Sequence, residues 1–331
     1  MDQRGFELEV AGPFRLDLTV WALRRRSHNS VDRWNGSYRR VFEVRGSLLE
    51  AVIRQAPGEV CGPLAVEVRS QHRLTPATEE EARILLSRML GLQLDLAGFY
   101  RLARRDGRLS SLATRFKGMR PPRFPSIFET LVNAIACQQL SLTVGIHLLN
   151  RLAERYGPSA GGSGAPVGFP SPIRLASARL EDLRTLGFSG SKARAITGLA
   201  RQVASGEVEL EDLDHLEDEK VRVELLALAG VGRWSTEYTM LRGLGRLQVL
   251  PGDDVGARNN LRRRYGLDPS AGYDELVDLS RQWWPYGGLV YFHLLLEALA
   301  EAGLLAPTVA APRPPSTIRH ARVRATSGDR R

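Results

Sequence analysis

The stretch that most constrains the fold of this 331-residue chain is Leu225 to Arg258, LLALAGVGRWSTEYTMLRGLGRLQVLPGDDVGAR. Val221 to Ala229 is helix-compatible and free of Gly and Pro, and Gly230-Val231-Gly232 stops it, because glycine takes positive φ without steric cost. Arg233 to Leu244 restarts a helix, with Trp234, Tyr238 and Leu241 recurring on one side. The hairpin amides, with Arg233 at the new helix start, therefore sit where unpaired N–H groups and the helix dipole favour an anion. Such a site grips phosphate without reading sequence. A plain corner between two helices carries the same Gly-x-Gly, so the hairpin alone leaves both readings open.

Leu250-Pro251-Gly252-Asp253-Asp254-Val255-Gly256-Ala257-Arg258 then places an acidic pair after a turn and before a new helix. Either aspartate could serve simply as a helix cap. Hairpin, spacing and Asp-Val-Gly-Ala-Arg together resemble the helix-hairpin-helix (HhH-GPD) DNA glycosylases, most nearly the AlkA-type DNA-3-methyladenine glycosylase II enzymes.

The resemblance implies a catalytic Asp254, with Asp253 as cap or orienting neighbour at the base pocket. Trp234, Tyr238 and Tyr286 match aromatic pocket positions, although Tyr286 stands where tryptophan is more usual. Gly230, Val231, Gly232, Arg233 and Arg258 fall at the DNA-binding hairpin and its following motif. In Cys137-Gln138-Gln139-Leu140-Ser141, Gln139 is the candidate wedge for the gap left by a displaced nucleotide, with Leu140 next. A buried Gln pair bonding backbone is the alternative. Lys192, in Gly187-Phe188-Ser189-Gly190-Ser191-Lys192, either touches phosphate or is simply solvated.

Cleaving an N-glycosidic bond builds positive charge on the sugar, as in glycoside hydrolysis. One carboxylate facing that charge stabilises it and orients water. Bifunctional relatives place a lysine nucleophile where this chain has Trp234, and Lys117, Lys192 and Lys220 all lie elsewhere in sequence. The expected reaction is base removal without strand cleavage. A cationic alkylpurine is already a good leaving group and gains about 0.5–2 kcal/mol from π faces. The alternatives are a glycosylase for another damaged base and a catalytically silent DNA-binding protein.

Net charge of +9 favours a polyanionic partner, here double-stranded DNA with damaged bases. More than half of that excess lies in the tail from Pro307, where six arginines face Asp329. Cys61 and Cys137 cannot make a four-thiolate cluster and the histidines are scattered, so no cofactor is expected. A monovalent cation bridging hairpin and phosphate stays open. The opening Met1-Asp2-Gln3-Arg4 lacks a secretory leader, and the apolar run Leu289 to Ala300 is too short for a bilayer and contains His293 and Glu297. The expectation is a cytoplasmic, nucleoid-associated monomer without membrane contact.

The fold class expected is α+β. Residues 1–112 form a small antiparallel sheet with helices, 113–306 an all-α glycosylase region of two subdomains around a cleft, and 307–331 a disordered basic tail. Phe6, Leu8, Val10 and then Phe14, Leu16, Leu18, Val20 alternate with polar residues as strands do. Tyr38 to Val44 and Leu64 to Val68 read as further strands, and Thr78 to Gly91 as a helix with Glu79-Glu80-Glu81 in its first turn. Ser126 and Glu129 read as a capping box. Trp283-Trp284-Pro285-Tyr286 is either core or pocket wall. Gly232→Asp is expected to weaken DNA binding and to shrink its salt dependence by about 0.9 in log K per log salt for each phosphate no longer neutralised, measurable by titration over a salt series.

Overall fold

The alternation at Phe14–Val20 is not a strand. In the computed structural model, which describes residues 2–58, 60–161 and 165–305, Leu16–Arg24 is a helix (α1). Leu16, Leu18, Thr19, Val20, Trp21, Ala22 and Leu23 are all buried in it. The helix is buried over most of its surface, and Arg15, Asp17 and Thr19 between its apolar residues make a chance alternation that mimics a strand. The tail from residue 307, expected to be disordered, lies outside the described residues.

The strands Asp2–Leu8 (β1), Arg33–Trp34 (β2), Tyr38–Val44 (β3), Ser47–Arg54 (β4) and Leu64–Ser70 (β5) form one antiparallel sheet, ordered β1-β5-β4-β3-β2. In β1 the expected alternation is real: Gln3, Gly5 and Glu7 face solvent. Against this sheet pack α1 and Pro76–Met89 (α2), the latter capped by Thr75, whose hydroxyl accepts from the Thr78 amide. The rest of the described chain is helical: Ala97–Ala103 (α3), Gly107–Arg115 (α4), Ile127–Cys137 (α5), Leu142–Tyr156 (α6), Pro172–Ala176 (α7), Leu180–Thr185 (α8) and Gly190–Ser205 (α9). Then come Asp218–Ala227 (α10), Arg233–Arg242 (α11), Val255–Tyr265 (α12), Tyr273–Ser280 (α13) and Gly287–Glu301 (α14).

Two helical cores result. One is built from α5, α6 and α8 to α11, through residues such as Leu131, Leu152, Ile196 and Leu225. The other joins α3 and α4 to α12, α13 and α14, and admits Leu18 and Trp21 of α1. Burying each Leu or Phe side chain contributes about 1.5–3 kcal/mol, so the packing continues across residue 112 without a break. Phe124, Ala134 and Tyr238 belong instead to the core beneath the sheet. Tyr238 on α11 is thus where the sheet unit meets the helical cleft.

Buried charge seals that meeting. Arg40 on β3 donates to both carboxylate oxygens of Glu129 on α5, at 2.5 and 2.6 Å, and also to Asp32, which receives the Tyr38 hydroxyl at 2.8 Å. The capping box is therefore half made: Ser126 accepts from the Glu129 amide at 3.1 Å, but the Glu129 side chain is committed to Arg40. Burial, with Asp32 close by, pushes the Glu129 carboxyl up to about 7 despite Arg40. A carboxyl whose folded pKa is raised contributes stability at low pH that is lost as pH climbs through the folded value. Stability should therefore fall between about pH 4.5 and pH 7, by at most about 3 kcal/mol, and stay level above that. Glu129→Gln should flatten that slope, as read from denaturant unfolding at each pH.

Candidate active site

The hairpin forms where it was expected. Gly230 has φ +82°, and a Cβ there would come 2.7 Å from that of Ala195, so both conformation and space require glycine. Gly232 has no such need: its φ is −108° and nothing lies within 4 Å of an added Cβ. It is the open, outward-facing residue ahead of α11. The Val231 amide turns inward to the Leu228 carbonyl at 3.1 Å, so Val231 does not present its N–H outward with its neighbours. Leu228 O receives that donor and Gly230 O receives Gln138 Nε2 at 2.9 Å.

The aspartates divide their work differently from expectation. Asp254, not Asp253, caps α12, its Oδ1 accepting from the Ala257 amide at 2.9 Å. Its other oxygen, Oδ2, accepts from Trp234 Nε1 and from the Tyr291 hydroxyl, both at 3.3 Å. One carboxylate thus joins α11, α12 and α14 while staying partly exposed. Asp253 instead takes Arg233 Nε at 2.7 Å, which draws that guanidinium over the Tyr273 ring, 3.7 Å from its centroid, and raises its pKa. Arg258 is half-buried on α12, and its Nε has no partner among the described residues.

The aromatic residues fall into separate places. Trp234 is half-exposed and leans on Tyr238, ring centroids 5.2 Å apart. Tyr238 is only 2% exposed, so it backs Trp234 rather than forming a free wall. Tyr286 is not at this pocket: it packs edge-on to Phe99 and presses its hydroxyl against Gly98 on α3. Trp283 is fully buried, whereas Trp284 is 72% exposed. The sequence run contained both core and surface.

Gln139 and Leu140 do protrude, at the turn between α5 and α6. Gln139 has φ +53° and Leu140 is 41% exposed. Gln138 anchors this turn to the hairpin, through Gly230 O and the Ser235 hydroxyl at 2.8 Å. Lys192 corrects its expectation. Its ammonium donates to the Ala136 and Gln138 carbonyls, at 2.9 and 2.7 Å, closing the C-terminus of α5 rather than facing a phosphate. Burial lowers its pKa.

Several participants were invisible in sequence. Tyr291 lies in an apolar helix, with no local sign that its hydroxyl would meet Asp254. Arg25, a left-handed cap at φ +61°, comes from the sheet unit to donate to the Tyr238 hydroxyl at 2.8 Å and to Asn133 Oδ1 at 2.7 Å. Arg242 lies behind the same ring, 5.4 Å from its centroid. Among the described residues no three His, Cys, Asp or Glu side chains are grouped to hold a metal. Nor is any helix there long and apolar enough to cross a membrane.

The fold brings together an exposed turn at Gln139 and Leu140, a glycine hairpin and a carboxylate held between three helices. Residues 132–286 match the family described as HhH-GPD superfamily base excision DNA repair protein. It is 26% identical over 266 residues to the DNA-3-methyladenine glycosylase of Bacillus subtilis, covering 77% of this chain and 87% of that one. A second Bacillus subtilis protein, YfjP, provisionally named as a DNA-3-methyladenine glycosylase, is 30% identical over 49% of this chain. The match spans 55% of YfjP, little more than half its length. Among solved structures, the 3-methyladenine DNA-glycosylase of Archaeoglobus fulgidus superimposes with TM-score 0.77 and 25% identity, covering 88% of this chain and 97% of that one.

Tyr291→Phe and Trp234→Phe each remove one hydrogen bond to the Asp254 carboxylate, at about 1.5–3 kcal/mol for a bond to a charged group. Each should slow base release by about 10-fold or more, and unchanged rates in both variants would show that neither donor positions the carboxylate.

Proposed function

We propose that the protein hydrolyses the N-glycosidic bond of alkylated purines of the 3-methyladenine and 7-methylguanine type in double-stranded DNA, leaving an intact abasic strand. The observation that carries the reading is Asp254: a partly exposed carboxylate held by Trp234 and Tyr291, inside the stretch that matches the family. Such a group stabilises an oxocarbenium-like sugar and orients the attacking water, contributing about 10²–10⁴-fold. The half-exposed Trp234 offers a π face to a cationic base. Base extrusion costs a few kcal/mol, least for a damaged pair, and the exposed Gln139 and Leu140 would fill the gap. Trp234 in place of a lysine argues for hydrolysis alone.

A second reading is favoured by Arg25 and Arg242. Two buried cations behind Tyr238 would oppose a cationic base but help a neutral one leave with negative charge, as from a deaminated purine. Release of free base from methylated and from hypoxanthine-containing duplexes, by wild type and Asp254→Asn, separates the two. We expect methylated purine release that falls at least about 100-fold in the variant, with strand breaks only after alkali. Release of hypoxanthine alone would establish the second reading, and breaks before alkali would overturn the monofunctional assignment.

A further inference from the structure

Away from Asp254, the sheet unit carries a pocket of about 370 Å³ lined by Arg24, His28, Arg33, Trp34 and Arg39, among others. Its charge balance is unusual for a structural feature. Arg33 on β2 and Arg39 on β3 are directly opposite in the antiparallel register, an arrangement in which like charges destabilise the ladder. Arg33 has one carboxylate, Glu50, at 3.5 Å. Arg39 has none within ion-pair distance among the described residues. The buried atoms Arg33 Nε, Arg39 Nε and His28 Nε2 have no hydrogen-bond partner there. Arg24, 4% exposed, is by contrast fixed by the carbonyls of Arg26, Ser27 and Trp34, and holds the loop that carries His28 in place.

The pocket is also tied to the helix that follows the wedge. His28 stacks on His147 of α6, centroids 4.1 Å apart at 14°. Asn150 brackets the loop, donating to His28 O at 2.6 Å and accepting from the Ser30 amide at 3.0 Å. Arg26 Nε donates to Thr143 Oγ1 at 3.0 Å, in the first turn of α6. His147 lies six residues beyond Ser141 at the end of the wedge turn, or about 9 Å along the helix. The pocket therefore stands beside the wedge at a fixed distance set by one rigid helix.

We propose that this pocket is a second phosphate site, in which Arg39 and Arg33 hold one backbone phosphate of the DNA strand flanking the lesion. Guanidinium forks match phosphate oxygens, and a phosphate here would neutralise the opposed pair. The site reads no base and fixes the register of the duplex on the protein. It gives the sheet unit a role in binding rather than support alone. The proposal rests on DNA being the substrate, but its readout is affinity rather than base release.

The test compares wild type, Arg39→Gln and Arg39→Lys. Binding to a labelled duplex with a central abasic site is measured over a salt series, and melting temperature without DNA is measured with and without inorganic phosphate. Arg39→Gln should flatten the plot of log K against log salt by about 0.9, the change for one phosphate left without its cation, and Arg39→Lys should keep most of the slope. The free Arg39→Gln protein should melt higher than wild type, because the like-charge opposition is relieved. A purely structural arginine would do the reverse, lowering the melting temperature and leaving the slope unchanged, and that result overturns the proposal. An unchanged slope with a phosphate-dependent rise in melting that only Arg39→Gln abolishes would assign the pocket to a free anion, and overturn its role in holding DNA. Absence of base release by the wild type, or its survival in Asp254→Asn, bears on the catalytic reading only and leaves the slope measurement intact.

Discussion

Three guanidinium groups sealed between the sheet and the helices set the geometry of the molecule. Arg25, Arg40 and Arg242 are 3%, 1% and 0% exposed. Removing such groups from water is costly unless each is paired and hydrogen-bonded. Arg40 meets Asp32 and Glu129, Arg25 meets Asn133 and Tyr238, and Arg242 reaches the Ala22 carbonyl at 2.7 Å amid the rings of Phe124, Tyr238 and Phe292. Every one of the bonds from Arg25 and Arg242, and that from Arg40 to Glu129, joins elements far apart in sequence. A buried pair deprived of one partner costs about 3–5 kcal/mol, so there is a strong penalty against any other seating of the sheet on α5 and α11. The position of the pocket floor follows from that seating.

Asp254 shows how one side chain serves structure and chemistry together. As the cap of α12 it satisfies an amide that would otherwise lack a partner. As the acceptor for Trp234 and Tyr291 it fixes where α11 and α14 face one another. Asp253, next to it in sequence, restrains Arg233 at the hairpin instead, so the acidic pair connects the hairpin to Trp234 and Tyr291.

The wedge turn is coupled to both. Gln138 reaches the hairpin, Lys192 closes the helix behind it, and Gln139 takes up left-handed backbone at the exposed tip. Non-glycine residues pay about 1 kcal/mol or more for that conformation and keep it where neighbours enforce it. The two neighbours that hold this turn are polar side chains, and one of them, Lys192, was in sequence a candidate for touching the DNA itself.

Local chemistry made much of this legible. The glycine hairpin, the acidic pair before α12, the Ser126 cap and the alternation of β1 each depend on residues a few positions apart, so the sequence by itself determined the helix-hairpin-helix, and the resemblance those residues carry chose Asp254 as the candidate carboxylate. It misread α1, because Arg15, Asp17 and Thr19 alternate by chance with apolar residues as in a strand. It placed Tyr286 in the pocket and Lys192 on the outside for want of long-range information. Tertiary structure alone decided that Tyr291 and Trp234 meet on one carboxylate oxygen, that Arg25 crosses from the sheet unit to Tyr238, and that Arg33 faces Arg39 across a ladder. The physical reason is the same in each case: these pairings depend on how segments are laid side by side, most of them tens to hundreds of residues apart. Their partners are chosen by the cost of leaving a buried polar group unpaired, which does not exist until the chain has folded.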